Sequence, residues 1–362
     1  MKSILAIGLE HVIAKIARHY SILADLTKSD VIIYSRDISN LSQYFVNKYN
    51  LNWEKVRKNF YYDLRLFHHL LHKFSPRHIE LYHDSQSILT HIGYIMISKL
   101  HRIPLVVYCR GGELAYWNKH SFYKKISILL GLKLASLVIY KEYFMIPMLN
   151  KLRIHPNKCY LLNNSVPIND LEPEAAIIRK GVIFLNSFKS LRHPEIAVEV
   201  CIRLANKFPD ALFTIAGDYN FKDGHSSRPD LEAAIASAGL TNRIKLLGWI
   251  KEPETMYEKH NIFILPAERV FLNYSLLEAM ERALVPVVSK VEDADKIIDN
   301  GKNGLIVDLK TDAFTNAVEY LLLNQDKVQS MSLAAREKVK IFFNLKICLQ
   351  KLLDVYNNKL WQ

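Results

Sequence analysis

Short apolar runs alternate along this chain with longer stretches in which apolar positions recur every three or four residues. In the first half, residues 3–7, 30–34, 78–82, 105–108, 137–139 and 160–162 read as strands. Residues 64–74, 90–101 and 124–134 read as helices. The rhythm restarts in the second half, with strands at 182–185, 212–216, 244–247, 262–265, 286–288 and 305–307. Helices are expected at 194–207, 229–238, 256–259, 276–283, 311–323 and 328–342, and an amphipathic helix at 345–359. Such alternation predicts parallel sheets covered on both faces.

The Asn-, Pro- and acid-rich segment 163–174, NNSVPINDLEPE, interrupts the pattern and reads as a linker. The expected organisation is an N-terminal Rossmann-like domain over 1–170 and a second over 171–342, with 343–362 packing back on the first. A length of 362 residues with 50% hydrophobic content supports two cores. No apolar run approaches the roughly 20 residues needed to span a bilayer. The first residues read as a strand and helix, not a signal peptide. The four cysteines are far apart in sequence, which suggests buried free thiols in a reducing, cytoplasmic setting.

Charge sharpens the division. Residues 1–170 hold 23 Lys and Arg against 11 Asp and Glu, a net of +12, whereas residues 171–362 hold 25 of each. The basic half is expected to meet an anionic membrane, a phosphorylated acceptor or nucleic acid; the bland alternative is solubility alone. No recognised nucleic-acid module supports the nucleic-acid option. Two basic and aromatic stretches, residues 53–62 (WEKVRKNFYY) and 116–125 (YWNKHSFYKK), suit docking on the cytoplasmic leaflet, although half-buried helices read the same way. His68, His69 and His72 include an i, i+4 pair but have no accompanying acid, so no metal is assigned there.

The segment YSLLEAMERALVPVVS, residues 274–289, carries the densest signal. Ser275 and Glu278 fit an S-x-x-E capping box at a helix start. The N–H groups of Asn273, Tyr274 and Ser275 would suit a diphosphate. Glu278 is then a ligand for a ribose diol, or a cap alone.

This segment resembles the C-domain signature of retaining nucleotide-sugar glycosyltransferases, glycosyltransferase family 4 (group 1). The resemblance rests on Leu277-Glu278-Ala279-Met280, on Pro286-Val287-Val288 and on Asn300-Gly301-Lys302-Asn303-Gly304-Leu305. It implies the GT-B architecture, two Rossmann-like domains facing across a cleft. It also implies a UDP- or GDP-sugar as co-substrate with no cofactor and no metal. The implied acceptor is lipid-linked or a surface polysaccharide of lipopolysaccharide, capsule or O-antigen type, met by a peripheral protein on the inner membrane face.

The family's residues transfer unevenly. Its Glu-x7-Glu motif keeps Glu278 but has Val270 at the first position, with Glu268 two residues earlier as a substitute or a solvated loop acid. Phe271, Leu272 and Asn273 replace the glycines of that loop. In the family's Gly-Arg-Leu-x-x-x-Lys stretch, Ser187 takes the Arg position and Arg192 the Lys position. Arg192 and nearby Lys189 are the expected cations for the leaving diphosphate, or are surface charges. Gly217 matches a tight turn. Ile250 is the expected base contact beside Trp249, itself as suited to the core.

In the first half, Cys109-Arg110-Gly111-Gly112-Glu113 stands where the family often has His-Gly-x-Asp. Glu113 is then an acceptor-side hydrogen-bonding group or base. Arg110 and Gly111 are expected at the donor, unless Arg110 and Glu113 only pair with each other. Asp84 and Ser85 are further candidates, and Asn164 matches a structural linker position. The departures at Val270 and Ser187 leave a second reading open: a catalytically degenerate GT-B subunit that binds a partner enzyme or glycan without turnover.

Overall fold

The computed structural model describes residues 3–9, 14–35, 44, 46–49, 51–55, 60–82, 87–109, 114, 116–169, 180–217, 228–250, 252–270 and 272–361. The chain divides into two units, Met1–Asn163 with Leu345–Gln362, and Asn164–Asn344. Each is built on a parallel sheet.

The first unit orders its strands β3-β2-β1-β4-β5-β6-β7. These are β1 Ser3–Leu9, β2 Asp30–Ser35, β3 Asn52–Lys55, β4 His78–Tyr82, β5 Leu105–Cys109, β6 Leu137–Tyr140 and β7 Cys159–Leu161. The second orders them β10-β9-β8-β11-β12-β13. Here β8 is Gly181–Leu185, β9 Leu212–Ala216, β10 Ile244–Leu247, β11 Ile262–Leu265, β12 Val285–Ser289 and β13 Leu305–Val307. β4, β5 and β11 are buried throughout, as strands covered on both faces must be. The order reverses between β1 and β4, and again between β8 and β11. In open α/β sheets, ligands bind beyond the carboxyl ends of strands at such a reversal.

The structure departs from the sequence reading in several places. Asn52–Lys55 is an edge strand, and Met145–Lys151 is a helix that the pattern did not mark. The helix after β11 is Tyr274–Glu281, capped by Asn273, whose side chain accepts from the Leu276 N–H. Ser275 is therefore inside the helix, and the Ser275–Glu278 capping box is not formed. Trp249 is 47% exposed and is not a core residue. Cys109 and Cys201 are buried and Cys159 and Cys348 half-buried, all four as thiols and not disulfides.

The helix Leu345–Lys359 packs on the helix Ala14–Thr27 and completes the core of the first unit. Its Tyr356 reaches Glu80, fully buried in β4. Tyr356 donates to Glu80 Oε1 at 2.7 Å and Tyr20 to Oε2 at 2.7 Å, while His78 Nε2 lies 3.2 Å from Oε1. Burial works to raise the Glu80 carboxyl, but the His78 hydrogen bond and charge, with His19 and Tyr356, hold it below its ordinary value.

Candidate functional site

The site is assembled at the carboxyl ends of β8 and β11, neighbours in the second sheet. After β8 the chain makes the tight turn Ser190–Arg192 and enters the helix Pro194–Ala205. After β11 it forms a loop that leads to the helix Tyr274–Glu281. These two connections are fastened together. The Glu268 N–H donates to the Leu191 carbonyl at 3.1 Å, and Arg192 Nη1 donates to the Arg269 carbonyl at 2.6 Å. His193 Nε2 lies 3.4 Å from Glu268 Oε1, and His193 Nδ1 lies 2.7 Å from Glu195 Oε1.

Arg192 thus holds one loop with one of its five guanidinium donors. Lys189 is exposed at the start of the same turn, its carbonyl accepting the Arg192 N–H at 2.8 Å. The structure therefore brings Arg192, Lys189 and Glu268 to one rim. His193 joins them and was not singled out in the sequence. Its backbone is left-handed, φ 44°, at the step from the turn into the helix. The only sequence signal was its place between Arg192 and Pro194.

Glu278 lies one turn into the helix Tyr274–Glu281 and is half-buried. The Tyr257 hydroxyl is 3.3 Å from Glu278 Oε2 and also 3.3 Å from the Ser275 carbonyl. Burial, then the nearby Glu278 charge, push the Tyr257 hydroxyl well above its ordinary value, so it stays protonated and donates. The sequence reading missed Tyr257 because the polar stretch around it, ETMYEKH, carries no motif and nothing in its spacing pairs it with Glu278.

Among the expected backbone donors, the Asn273 N–H is turned inward to the Val270 carbonyl at 3.2 Å, which removes it from that set. Tyr274 and Ser275 occupy the first helical turn, where N–H groups have no acceptor within the helix. Val270 is fully buried in the core beneath this helix. Glu268 is 51% exposed and reaches toward His193 instead.

Gly217, at the end of β9, has a steric reason. A Cβ there would stand 2.0 Å from the Asn186 carbonyl oxygen and 2.5 Å from the Phe188 ring. Only glycine lets the chain after β8 pass so close. Its N–H donates to the Gly248 carbonyl at 3.3 Å, which links the rim to β10 and to half-buried Ile250. The rim thus runs continuously along the ends of β10, β9, β8 and β11.

The remaining motif positions are structural. Asn164 Nδ2 donates to the Leu272 carbonyl at 2.8 Å. Buried Asn303 accepts from the Asp299 N–H at 2.8 Å and donates to the Ile297 carbonyl at 3.2 Å. A Cβ on Gly304 would stand 2.7 Å from the Pro286 carbonyl oxygen. Arg110, Gly111 and Glu113, with Asp84 and Ser85, lie outside the described residues.

Residues 177–338 match the model of the family described as glycosyl transferases group 1. The chain is 25% identical over 215 residues to an alpha-D-kanosaminyltransferase of Streptomyces kanamyceticus, covering 56% of this chain and 54% of that protein. It is 27% identical over 155 residues to the Escherichia coli UDP-Gal:alpha-D-GlcNAc-diphosphoundecaprenol alpha-1,3-galactosyltransferase, covering 42% of this chain and 38% of that one. The chain thus spans about half or less of the length of these two relatives.

Among solved structures, Anabaena HepE in complex with UDP and glucose has a TM-score of 0.79 at 14% identity, over 99% of this chain and 100% of that one. A glycosyltransferase from Rickettsia africae has a TM-score of 0.77 at 16% identity, over 99% and 98%. Residues 177–338 therefore belong to the group 1 glycosyl transferases, on a chain whose two Rossmann-like units have the GT-B fold.

Proposed function

We propose that the protein is a retaining glycosyltransferase that moves a sugar from a nucleotide diphosphate to a hydroxyl of a lipid-linked or surface-polysaccharide acceptor. The observation that carries this reading is the fastened pair of loops at the reversal between β8 and β11. One loop brings the cations Lys189 and Arg192, and the other leads to a helix start and Glu278. In this reading Glu278 accepts from the ribose diol, oriented by Tyr257. The Tyr274 and Ser275 N–H groups and the two cations stabilise the diphosphate as charge develops on it, with no metal needed. Ile250 lies against the base. The Escherichia coli relative supports the acceptor class, since its name gives a diphosphoundecaprenol-linked sugar as its acceptor.

A transfer assay against UDP-, GDP- and ADP-sugars tests the reading. Glu278→Ala should weaken nucleotide binding about tenfold to a hundredfold, the value of a hydrogen bond or two to a charged group. The variant should remain folded by circular dichroism, with the Tyr257 hydroxyl keeping the Ser275 carbonyl as acceptor. No turnover and no calorimetric binding with any nucleotide would favour the degenerate subunit, to which buried Val270 gives some weight.

The acceptor side rests on the first unit. Phe122 and Tyr123 are 71% and 70% exposed on the first turn of the helix Phe122–Leu134, beside exposed Lys124 and half-buried Lys125. Exposed Phe60, Tyr61 and Tyr62 open the helix Phe60–Phe74, and exposed Leu89 lies in the first turn of Ile88–Leu100. Each helix follows a parallel strand, so these first turns belong to the carboxyl edge of the sheet. No helix among the described residues is long and apolar enough to cross a membrane. Rings flanked by cations suit the headgroup level of an anionic cytoplasmic leaflet, at about 1 kcal/mol per cation. Reversing Lys119, Lys124 and Lys125 to Glu should release the protein from phosphatidylserine vesicles in a sedimentation assay. Unchanged sedimentation would remove the membrane from this proposal.

A further inference from the structure

Three histidines of the first unit converge away from every residue assigned above. His68 and His72 stand one turn apart on the helix Phe60–Phe74, and His101 caps the C-terminus of the adjoining helix Ile88–Leu100. Their ring centroids are 4.7, 4.8 and 4.9 Å apart, pair by pair. One ring nitrogen from each lies within 4.8 Å of those of the other two. His68 and His72 are exposed and His101 is half-buried, so the cluster opens to solvent.

Gathering three imidazoles is unfavourable if they are protonated, because like charges repel. A metal requires the neutral ring, with a nitrogen lone pair free to coordinate. Lys99 and Arg102 flank His101 in the chain, and both are exposed, where solvent screens them.

The geometry points to a three-histidine site for a divalent transition-metal ion, built from His68, His72 and His101. Neutral imidazole suits zinc, copper and nickel, whereas magnesium and calcium need oxygen ligands that this set does not offer. Zinc–nitrogen bonds of about 2.0–2.1 Å put tetrahedral neighbours about 3.4 Å apart. Side-chain rotation of the two exposed histidines closes the remaining distance. Water would complete the coordination. The ion would tie the end of one helix to the last two turns of its neighbour, and its binding to the folded state alone would add stability by mass action.

Untagged full-length protein, stripped with a chelator, should bind one zinc ion per chain in calorimetry. Its melting temperature should rise with zinc and not with magnesium. His101→Ala, and separately His68→Ala with His72→Ala, should weaken binding about tenfold or more, since loss of an outer partner alone costs 10–100-fold. His69→Ala, one residue along the same helix, should bind as wild type does. Zinc binding absent from the wild type, unchanged in His101→Ala, or lost equally in His69→Ala would overturn the site. Circular dichroism separates a lost ligand from a lost fold, and either histidine variant suffices if the other fails to fold.

Discussion

His91 is buried on the helix Ile88–Leu100, its Nδ1 2.7 Å from the Ser127 hydroxyl. Burial lowers its pKa from 6.5 to about 4. The unfolded chain therefore takes up this proton near pH 6.5 and the folded chain only near pH 4. The contribution is complete above pH 6.5 and is lost as pH falls toward 4, a change of about 3 kcal/mol. His91→Asn keeps a polar group opposite Ser127 and removes the titration. Denaturant unfolding at pH 7 and pH 4.5 should show a smaller acid loss in the variant, by about that amount. An equal loss would assign the acid sensitivity elsewhere, His19 being similarly lowered to about 4. Residues of this kind were hard to read in advance. Burial of a histidine depends on which helices meet, and periodicity gives no partner for it. Val270 was legible as a missing acid only through the family resemblance, which implies a Glu at the position eight residues before Glu278. His193 was not, because its role comes from a left-handed backbone that brings it to Glu268 from another loop.

At the scale of elements, several strands were readable to the residue. Examples are the continuous apolar runs Ile262–Leu265 and Leu305–Val307, and also His78–Tyr82 and Leu212–Ala216, where apolar residues surround a single internal polar one. β3 was not, because an edge strand pairs on one side only and can carry Glu54 and Lys55 without an apolar run. The start of the helix Tyr274–Glu281 shows a subtler competition. Asn and Ser are about equal as caps. The sequence favoured Ser275 because Glu278 is spaced to reach back to it. In the fold, buried Tyr257 engages that carboxylate, and Asn273, extended at φ −66° and ψ 125°, takes the cap two residues earlier. Asn273→Ala should therefore cost about 1 kcal/mol in urea unfolding, whereas Ser275→Ala should be close to neutral. The reverse order would restore the capping box.

At the scale of the whole molecule, the chain leaves its first unit at Asn163 and returns to it at Leu345. The return is held by polar chemistry as well as apolar burial. Leu349 and Leu352 fill the core beside Ala17 and Leu23, and Trp361 Nε1 lies 3.3 Å from His78 Nδ1. Tyr356 donates to a fully buried carboxylate, so its hydroxyl is a structural requirement of β4. Tyr356→Phe removes one hydrogen bond to a buried charge, a loss of about 1.5–3 kcal/mol. Because each unit has its own core, that loss should stay within one of them. Hydrogen exchange read by mass spectrometry should show faster exchange in peptides from β1, β4 and the helix Leu345–Lys359. Peptides from β8, β9 and β11 should exchange as in the wild type. Equal acceleration in both units would mean that the chain unfolds as a single cooperative body, and that the C-terminal helix stabilises more than the sheet on which it packs.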